Sequence, residues 1–268
     1  MKTVHRVAIN GAAGRVGQRL IHLIHVDPEA TLVGAVEWEG SPLLGSDAGL
    51  VVGLGEIGVP LTTAARLPEK PDSLIDFSNP AGAQVAVEYC LAEYVPLVMA
   101  TTGLEPDTIQ ALQAAAATIP VVWSPNMSLA VNLGMKLVEL ASATFARQDG
   151  QVDVEIIERH HRYKADSPSG TALKFGEIVT QQMGQSQRRH GREGMVGQRP
   201  AGEIGYHAVR SGDHPGQHTI QFGLLGETLE IKVSASNRDC YALGAITAAK
   251  FASQQPPGLY TMMDVLGL

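Results

Sequence analysis

The 268 residues carry a formal charge of −7, with 44% hydrophobic and 18% charged side chains and no long run of either sign. This is the composition of a soluble globular chain, long enough for one large core or two modest ones. It argues against a nucleic-acid-binding protein, which needs a concentrated basic surface, and no stretch approaches the length of a membrane span.

The opening MKTVHRVAIN enters a strand at once, without the apolar segment and small-residue cleavage site of a signal peptide. Cys90 and Cys240 lie far apart and are expected to be reduced, buried and inert, as in a cytoplasmic protein. VAIN (7–10) reads as a strand, QRLIHLIHV (18–26) as a helix and TLVGAVE (31–37) as a second strand. LIDFS (74–78) precedes helical AGAQVAVEYCLAEY (81–94), PLVMATT (96–102) precedes DTIQALQAAAAT (107–118), and PVVWS (120–124) closes the series. Short apolar strands alternating with helices of this size make βαβ units. Residues 1–126 therefore predict an α/β domain with a Rossmann-like, doubly wound parallel sheet.

GAAGRVG, after the first strand, contains Gly11, Gly14 and Gly17. A tight turn, close approach of backbone N–H groups to a pyrophosphate, and close packing of the next helix all favour residues without bulky side chains. The helix N-terminus adds a partial positive charge. GxxGxxG spacing alone is weak evidence, and a plain glycine-rich turn is the alternative. Its place between strand and helix, with Glu37 twenty residues beyond Gly17, points to dinucleotide binding, the carboxylate accepting from ribose hydroxyls. Trp38, not arginine, follows Glu37, so NADH is expected to be preferred. NADPH is not excluded, because Arg15 can reach a 2′-phosphate.

After residue 126 the pattern changes. NLGMKLVELASATFA (132–146) reads as a long helix, VDVEIIERHH (152–161) as a strand and 170–183 as a helix. A polar, glycine-rich stretch runs to about 202, followed by strands at 203–211, 218–225 and 227–236 with a tight turn at Gly226. Consecutive strands without helices predict an antiparallel or mixed sheet, hence an α+β domain over 127–237. The helical YALGAITAAKFA (241–252) and a Pro-Pro-Gly break at 256–258 close the chain.

ERHHRYKADSPSGTA (158–172) gathers proton carriers and cations before a helix start. Reduction of a C=N bond by hydride needs a proton delivered elsewhere on the product, and an anionic substrate needs cations and N–H donors. His160 and His161 can carry protons, Lys164 can donate one and attract a carboxylate, and Ser169, Gly170 and Thr171 open a helix N-terminus that seats an anion. A dicarboxylate with a reducible C=N bond uses the whole set. The duller alternative is a solvated histidine pair beside an exposed rim of Arg159, Arg162 and Lys164. Asp166 either orders the lysine or caps the turn. His207, His214 and His218 lack the thiolate or carboxylate spacing of a metal site, and Pro215 and Gly216 disfavour a helical pair, so no metal is expected. Met262 and Met263 are expected to be packing residues.

The pattern E-x-H-H-x-x-K-x-D-x-P-S-G-T-A resembles the signature of the 4-hydroxy-tetrahydrodipicolinate reductases of the diaminopimelate route to lysine. The resemblance extends through GAAGRVG, EGSPLLGSDAG (39–49), DFSNP (76–80), ATTG (100–103), SPNMSLAVN (124–132) and the closing MMDVLGL. It implies that His160 is a proton donor or acceptor and Lys164 a second proton donor. His161, Ser169, Gly170 and Thr171 would hold the carboxylates of a cyclic dicarboxylate. Gly11, Ala12, Ala13, Gly14, Arg15, Val16, Glu37, Ala100, Thr101, Thr102, Ser124, Pro125, Asn126 and Met127 would contact the nucleotide. It also implies a first domain completed by 238–268 and a homotetramer built through the second domain's sheet. Trp38 departs from members that carry arginine there.

Two rivals share the fold-level features. One is a different nicotinamide oxidoreductase, such as an amino-acid or aldehyde dehydrogenase, the latter needing a cysteine in a reactive setting; the other is an NAD(H)-sensing regulator, which would need a basic DNA-binding helical module. Two domains suggest hinge closure, with hinges expected near Pro125–Met127 and Ser236–Asp239.

Overall fold

The computed structural model describes residues 4–147 and 152–268. They divide into two compact units, one of residues 1–129 with 238–268 and one of residues 130–237. The chain begins with β1 (His5–Asn10), α1 (Gly17–Val26), β2 (Ala30–Val36), α2 (Ala48–Val52) and β3 (Leu61–Thr62). It continues through β4 (Ser73–Asp76), α3 (Pro80–Glu93), β5 (Leu97–Met99), α4 (Pro106–Ala115) and β6 (Pro120–Trp123). α5 (Leu129–Phe145) leads into the second unit, with β7 (Asp153–His160), α6 (Gly170–Met183) and β8 (Gln187–His190). β9 (Glu203–Arg210), β10 (Gly216–Leu224) and β11 (Glu227–Ala235) complete that unit. The first unit resumes with α7 (Asp239–Ala252), β12 (Gly258–Tyr260) and α8 (Met262–Leu266).

In the first unit seven parallel strands lie in the order β12-β6-β5-β4-β1-β2-β3. Helices cover both faces, which is why these strands read as unbroken apolar runs. Leu20, Ile21 and Ile24 of α1 pack one face with Ala245, Ala248 and Ala249 of α7. Ala83, Val87 and Cys90 of α3, with Leu112 and Ala115 of α4, pack the other. The chain runs from β1 outward through β2 and β3, then returns to the other side of β1 for β4. This reversal parts the loops at the carboxyl ends of β1 and β4 and leaves a crevice there.

Residues 39–60 lie between β2 and β3 and include α2. Asp47 organises them: its carboxylate caps α2 through the N–H groups of Gly49 (2.8 Å) and Leu50 (3.3 Å) and accepts from Ile57, Gly58 and Val59 at 3.1, 2.8 and 3.1 Å. Five backbone donors hold this carboxyl below the usual range, overcoming the opposing effect of burial.

The second unit is a mixed sheet in the order β11-β10-β7-β9-β8, with β10 antiparallel to both neighbours and β7, β9 and β8 parallel. Val154 and Ile156 of β7, Phe222 of β10, Phe175 and Val179 of α6 and Val138 of α5 form its core. The polar stretch before residue 202 contains β8, an exposed edge strand, and the tail adds β12 beside β6 and a capped turn, α8. Among the described residues no helix is long and apolar enough to cross a membrane.

Candidate active site

The glycine loop lies at the carboxyl end of β1. Gly11 has φ of +78°, and a Cβ there would stand 2.5 Å from the carbonyl oxygen of Phe77, which follows β4. A Cβ on Gly17 would collide with the carbonyls of Gly11 and Ala12, so the start of α1 closes on the loop only with glycine. The N–H groups of Gly11 and Ala12 donate to the Val36 carbonyl at 3.0 and 3.1 Å, and that of Gly14 to the Gly11 carbonyl at 3.0 Å. Ala13 donates to Glu37 Oε1 at 2.8 Å. Among the described residues the N–H groups of Arg15 and Val16 have no partner. Two donors at a helix N-terminus suit an anion.

A cleft of about 770 Å³ opens over this loop. Gly11, Ala13 and Gly14 form one wall, Glu37, Trp38 and Glu39 a second, and Phe77, Ser78 and Asn79 a third. Ala12 contributes no wall, because its methyl lies in the core. Ala100–Thr102 follow β5 and Ser124–Met127 follow β6. They share the carboxyl edge of the sheet but lie outside the cleft walls, with Ala100 and Met127 buried and Thr102 and Pro125 exposed. Another cavity, of about 700 Å³, opens beside His5 at the start of β1; of its lining cations Arg6 pairs with Asp72 and Lys250 with Asp27, both at 2.8 Å, and Lys70 also lines it.

Beneath the cleft, buried Asp76 accepts from Asn10 Nδ2 and Ser78 Oγ, both at 2.6 Å, while Ser78 N donates to Thr101 Oγ1 at 2.9 Å. Burial pushes the Asp76 carboxyl up against the pull of these hydrogen bonds. The network fastens together the loops after β1, β4 and β5, and this is how Thr101 takes part.

In the second unit β7 buries alternate residues: Val154, Ile156, Glu158 and His160. The last two place a carboxylate and an imidazole at the rim of an apolar core. Glu158, 1% exposed, accepts from His160 Nδ1 at 2.6 Å, from Ser169 N at 3.0 Å, and from Arg210 Nη1 and Nη2 at 2.6 and 2.7 Å. Burial alone would raise its pKa; these donors hold it below the usual range, led by Arg210. His160 is pushed down, first by burial and further by Lys164 and Arg210, with Glu158 opposing. Burial thus favours the neutral ring. Gly216, at φ of +153°, lies against this ring: a Cβ there would stand 2.9 Å from His160 Nε2.

Ser169 caps α6, its Oγ accepting from Ala172 N at 3.2 Å and meeting His218 Nε2 at 2.9 Å. The hydroxyl expected to contact a ligand is therefore engaged inside the protein and shapes the helix start, where Gly170 is exposed. Burial brings His218 down to about 4. Lys164 Nζ pairs with Asp166 Oδ1 at 2.8 Å, as ordering of the lysine by Asp166 requires. His161 donates its backbone N–H to the His214 carbonyl at 2.7 Å, and its buried Nδ1 has no partner among the described residues. His207 is bonded to Glu155 at 2.6 Å. Among the described residues no three His, Cys, Asp or Glu side chains are grouped to hold a metal ion.

The sequence reading missed Glu158, Arg210 and His218. A signal for Glu158 was present: in VDVEIIERHH the inward register of Val152, Val154 and Ile156 continues onto Glu158 and His160, and a charge at a core position implies a partner.

Residues 5–127 match the family model described as dihydrodipicolinate reductase, N-terminus, and residues 130–266 that described as dihydrodipicolinate reductase, C-terminus. The chain is 52% identical over 270 residues to a 4-hydroxy-tetrahydrodipicolinate reductase of Rhodopirellula baltica, covering 98% of this chain and 96% of the relative. It is 44% identical to a protein of the same name from Burkholderia vietnamiensis, with 98% and 99% covered. Among solved structures it is similar to a dipicolinate-bound dihydrodipicolinate reductase from Paenisporosarcina sp. TG-14. The TM-score is 0.78 at 25% identity, with 98% of this chain and 99% of that one covered.

Proposed function

Since the chain belongs to the dihydrodipicolinate reductase family, we propose that it reduces 4-hydroxy-tetrahydrodipicolinate, through the dihydrodipicolinate imine, to tetrahydrodipicolinate with NAD(P)H, in the diaminopimelate route to lysine. The observation that carries the assignment of residues is the buried Glu158–His160 pair beside the α6 N-terminus and Lys164.

The first unit holds the nucleotide. Its loop fits a pyrophosphate, because Gly11 lets the loop close against the backbone of Phe77 and Ser78 and Arg15 and Val16 offer open N–H groups. Glu37, with Oε1 taken by Ala13, accepts ribose hydroxyls through Oε2. Ala100–Thr102 and Ser124–Met127 extend the nucleotide contacts along the same sheet edge. When bound, the reduced nicotinamide supplies the hydride.

The second unit holds the dicarboxylate and supplies the proton. Lys164, His161, Gly170 and Thr171 receive the two carboxylates, with Ser169 fixing the helix start. The free site favours a neutral His160. A dianion close to Nε2 favours the imidazolium, so the ring takes up a proton as substrate binds. The substrate would lose water to give the conjugated imine, which would take the hydride from the bound nucleotide; His160, with Lys164 as second donor, then supplies the one proton that completes the product.

Glu37 and Trp38 select NADH over NADPH, because a 2′-phosphate would meet the Glu37 carboxylate with Trp38, not a cation, next to it in sequence, while Arg15 leaves NADPH usable. Trp38→Arg is expected to raise kcat/KM for NADPH relative to NADH by roughly tenfold, the effect of about one charge-assisted hydrogen bond. Parallel steady-state assays with both nucleotides measure this ratio, and an unchanged ratio contradicts the selection by position 38.

The enzyme is a homotetramer. In support, β11 is an edge strand whose residues Glu227–Glu230 are exposed on both faces, and a long uncovered edge invites pairing. Light scattering after size exclusion is expected to give four times the 28.4 kDa chain mass, and a monomer overturns the assignment. The enzyme is assigned to the cytoplasm, where its two free cysteines stay reduced.

A further inference from the structure

We infer that Glu158 is a positioning residue for proton transfer: it fixes which nitrogen of His160 carries hydrogen and ties that ring to the helix start that seats the substrate. The inference rests on the reading of His160 as the proton carrier.

Donors converge on Glu158 from three directions. Arg210 on β9 grips both carboxylate oxygens, Ser169 N reaches Oε1 at 3.0 Å, and His160 Nδ1 lies 2.6 Å from Oε2. An ionised carboxylate only accepts hydrogen bonds, so His160 must donate from Nδ1. Nε2 is then the nitrogen that exchanges protons, and glycine at position 216 keeps a side chain off it, since a Cβ there would stand 2.9 Å away. The same carboxylate holds the N–H of Ser169, the residue that opens α6. Ring orientation and anion seat are thus set by one group.

An ion pair serving packing alone needs Arg210 and Glu158 only. Here Arg210 also donates to the Asp166 carbonyl at 2.7 Å, anchoring the segment between Lys164 and Ser169. On the far side, His218 stands edge-on to His160, with ring centroids 5.2 Å apart, and holds Ser169 Oγ. The charged or titratable groups facing His160 are Glu158 on its own strand, Arg210 on β9, His218 on β10 and Lys164 in the following loop. Among them Glu158 alone favours the imidazolium.

Glu158→Gln is the direct test. Its amide oxygen, in the place of Oε1, can still accept from Arg210 Nη2 and Ser169 N, while its NH₂, in the place of Oε2, gives up the bond from Arg210 Nη1, donates to His160 Nδ1 and moves the ring hydrogen to Nε2. The expected result is a fall in kcat of roughly 100-fold, with little change in KM for NADH. The limb of the pH–rate profile belonging to His160 shifts to lower pH, because the anion that favours its protonation is gone. Nitrogen-15 NMR of the His160 ring is expected to switch from the Nδ1–H to the Nε2–H form. Wild-type kcat and pH profile in a folded Glu158→Gln variant overturn the inference. The wild-type protein tests it without any variant: an Nδ1–H signal for His160 supports it and an Nε2–H signal overturns it. His160→Ala separates the two levels. Full turnover in that variant removes the proton-carrier reading itself. An inactive His160→Ala beside a fully active Glu158→Gln removes only the part given to Glu158.

Discussion

Replacing His160 and Lys164 together by alanine is expected to lower kcat by roughly 10³-fold or more while leaving NADH binding intact. A positioned proton carrier contributes about 10²–10⁴-fold, and two groups serving one step are not additive. The double loss therefore stays well short of the product of the single losses. The single variants should differ. His160 is buried against Glu158, His218 and Gly216, and its loss should appear chiefly in kcat. Lys164 is held by Asp166 at 2.8 Å and also receives a carboxylate, so its loss should raise the substrate KM as well. Steady-state kinetics with a fluorescence titration of NADH separates these effects. Full activity in the double variant would remove the residue assignment.

Gly11→Ala carries the second large effect. An alanine at φ of +78° has to adopt the left-handed region, at a cost of about 1 kcal/mol. Its Cβ would also stand 2.5 Å from the Phe77 carbonyl oxygen and 2.9 Å from Ser78 Cα, both backbone atoms. That segment is fastened by Asp76, Asn10 and the Asn79 cap of α3, so it yields poorly. The glycine loop gives way instead, and its N–H groups lose their aim. NADH affinity is expected to fall at least about 100-fold, equivalent to about 2.7 kcal/mol, measured by calorimetry on protein shown to be folded. Gly14→Ala should do less, because the tightest contact of its Cβ would be the Gly11 carbonyl oxygen at 3.0 Å, with the Phe77 carbonyl oxygen at an ordinary 3.8 Å. Wild-type affinity in Gly11→Ala contradicts close backbone approach as the basis of binding.

Much of this architecture was legible because its signals are local. The parallel strands are buried on both faces and read as apolar runs, the glycine loop announces a close approach, and the segment 158–172 holds its chemistry contiguously. What escaped was either non-local or without pattern. β8 is QRRH, exposed throughout, and takes strand form only because β9 lies beside it. α2 and β3 depend on Asp47, whose partners lie up to twelve residues downstream. Arg210 meets Glu158 across 52 residues, and His218 meets Ser169 across 49, through strand pairing that no spacing rule gives. The hydroxyl of Ser169 looked available in the sequence, and folding turned it into a cap.

The most direct test is a steady-state assay on freshly generated 4-hydroxy-tetrahydrodipicolinate, following oxidation of NADH and NADPH in parallel. Turnover with both nucleotides is expected, with the larger kcat/KM for NADH. No turnover with either, in protein shown to bind NADH, would contradict the reductase assignment while leaving the nucleotide site in place.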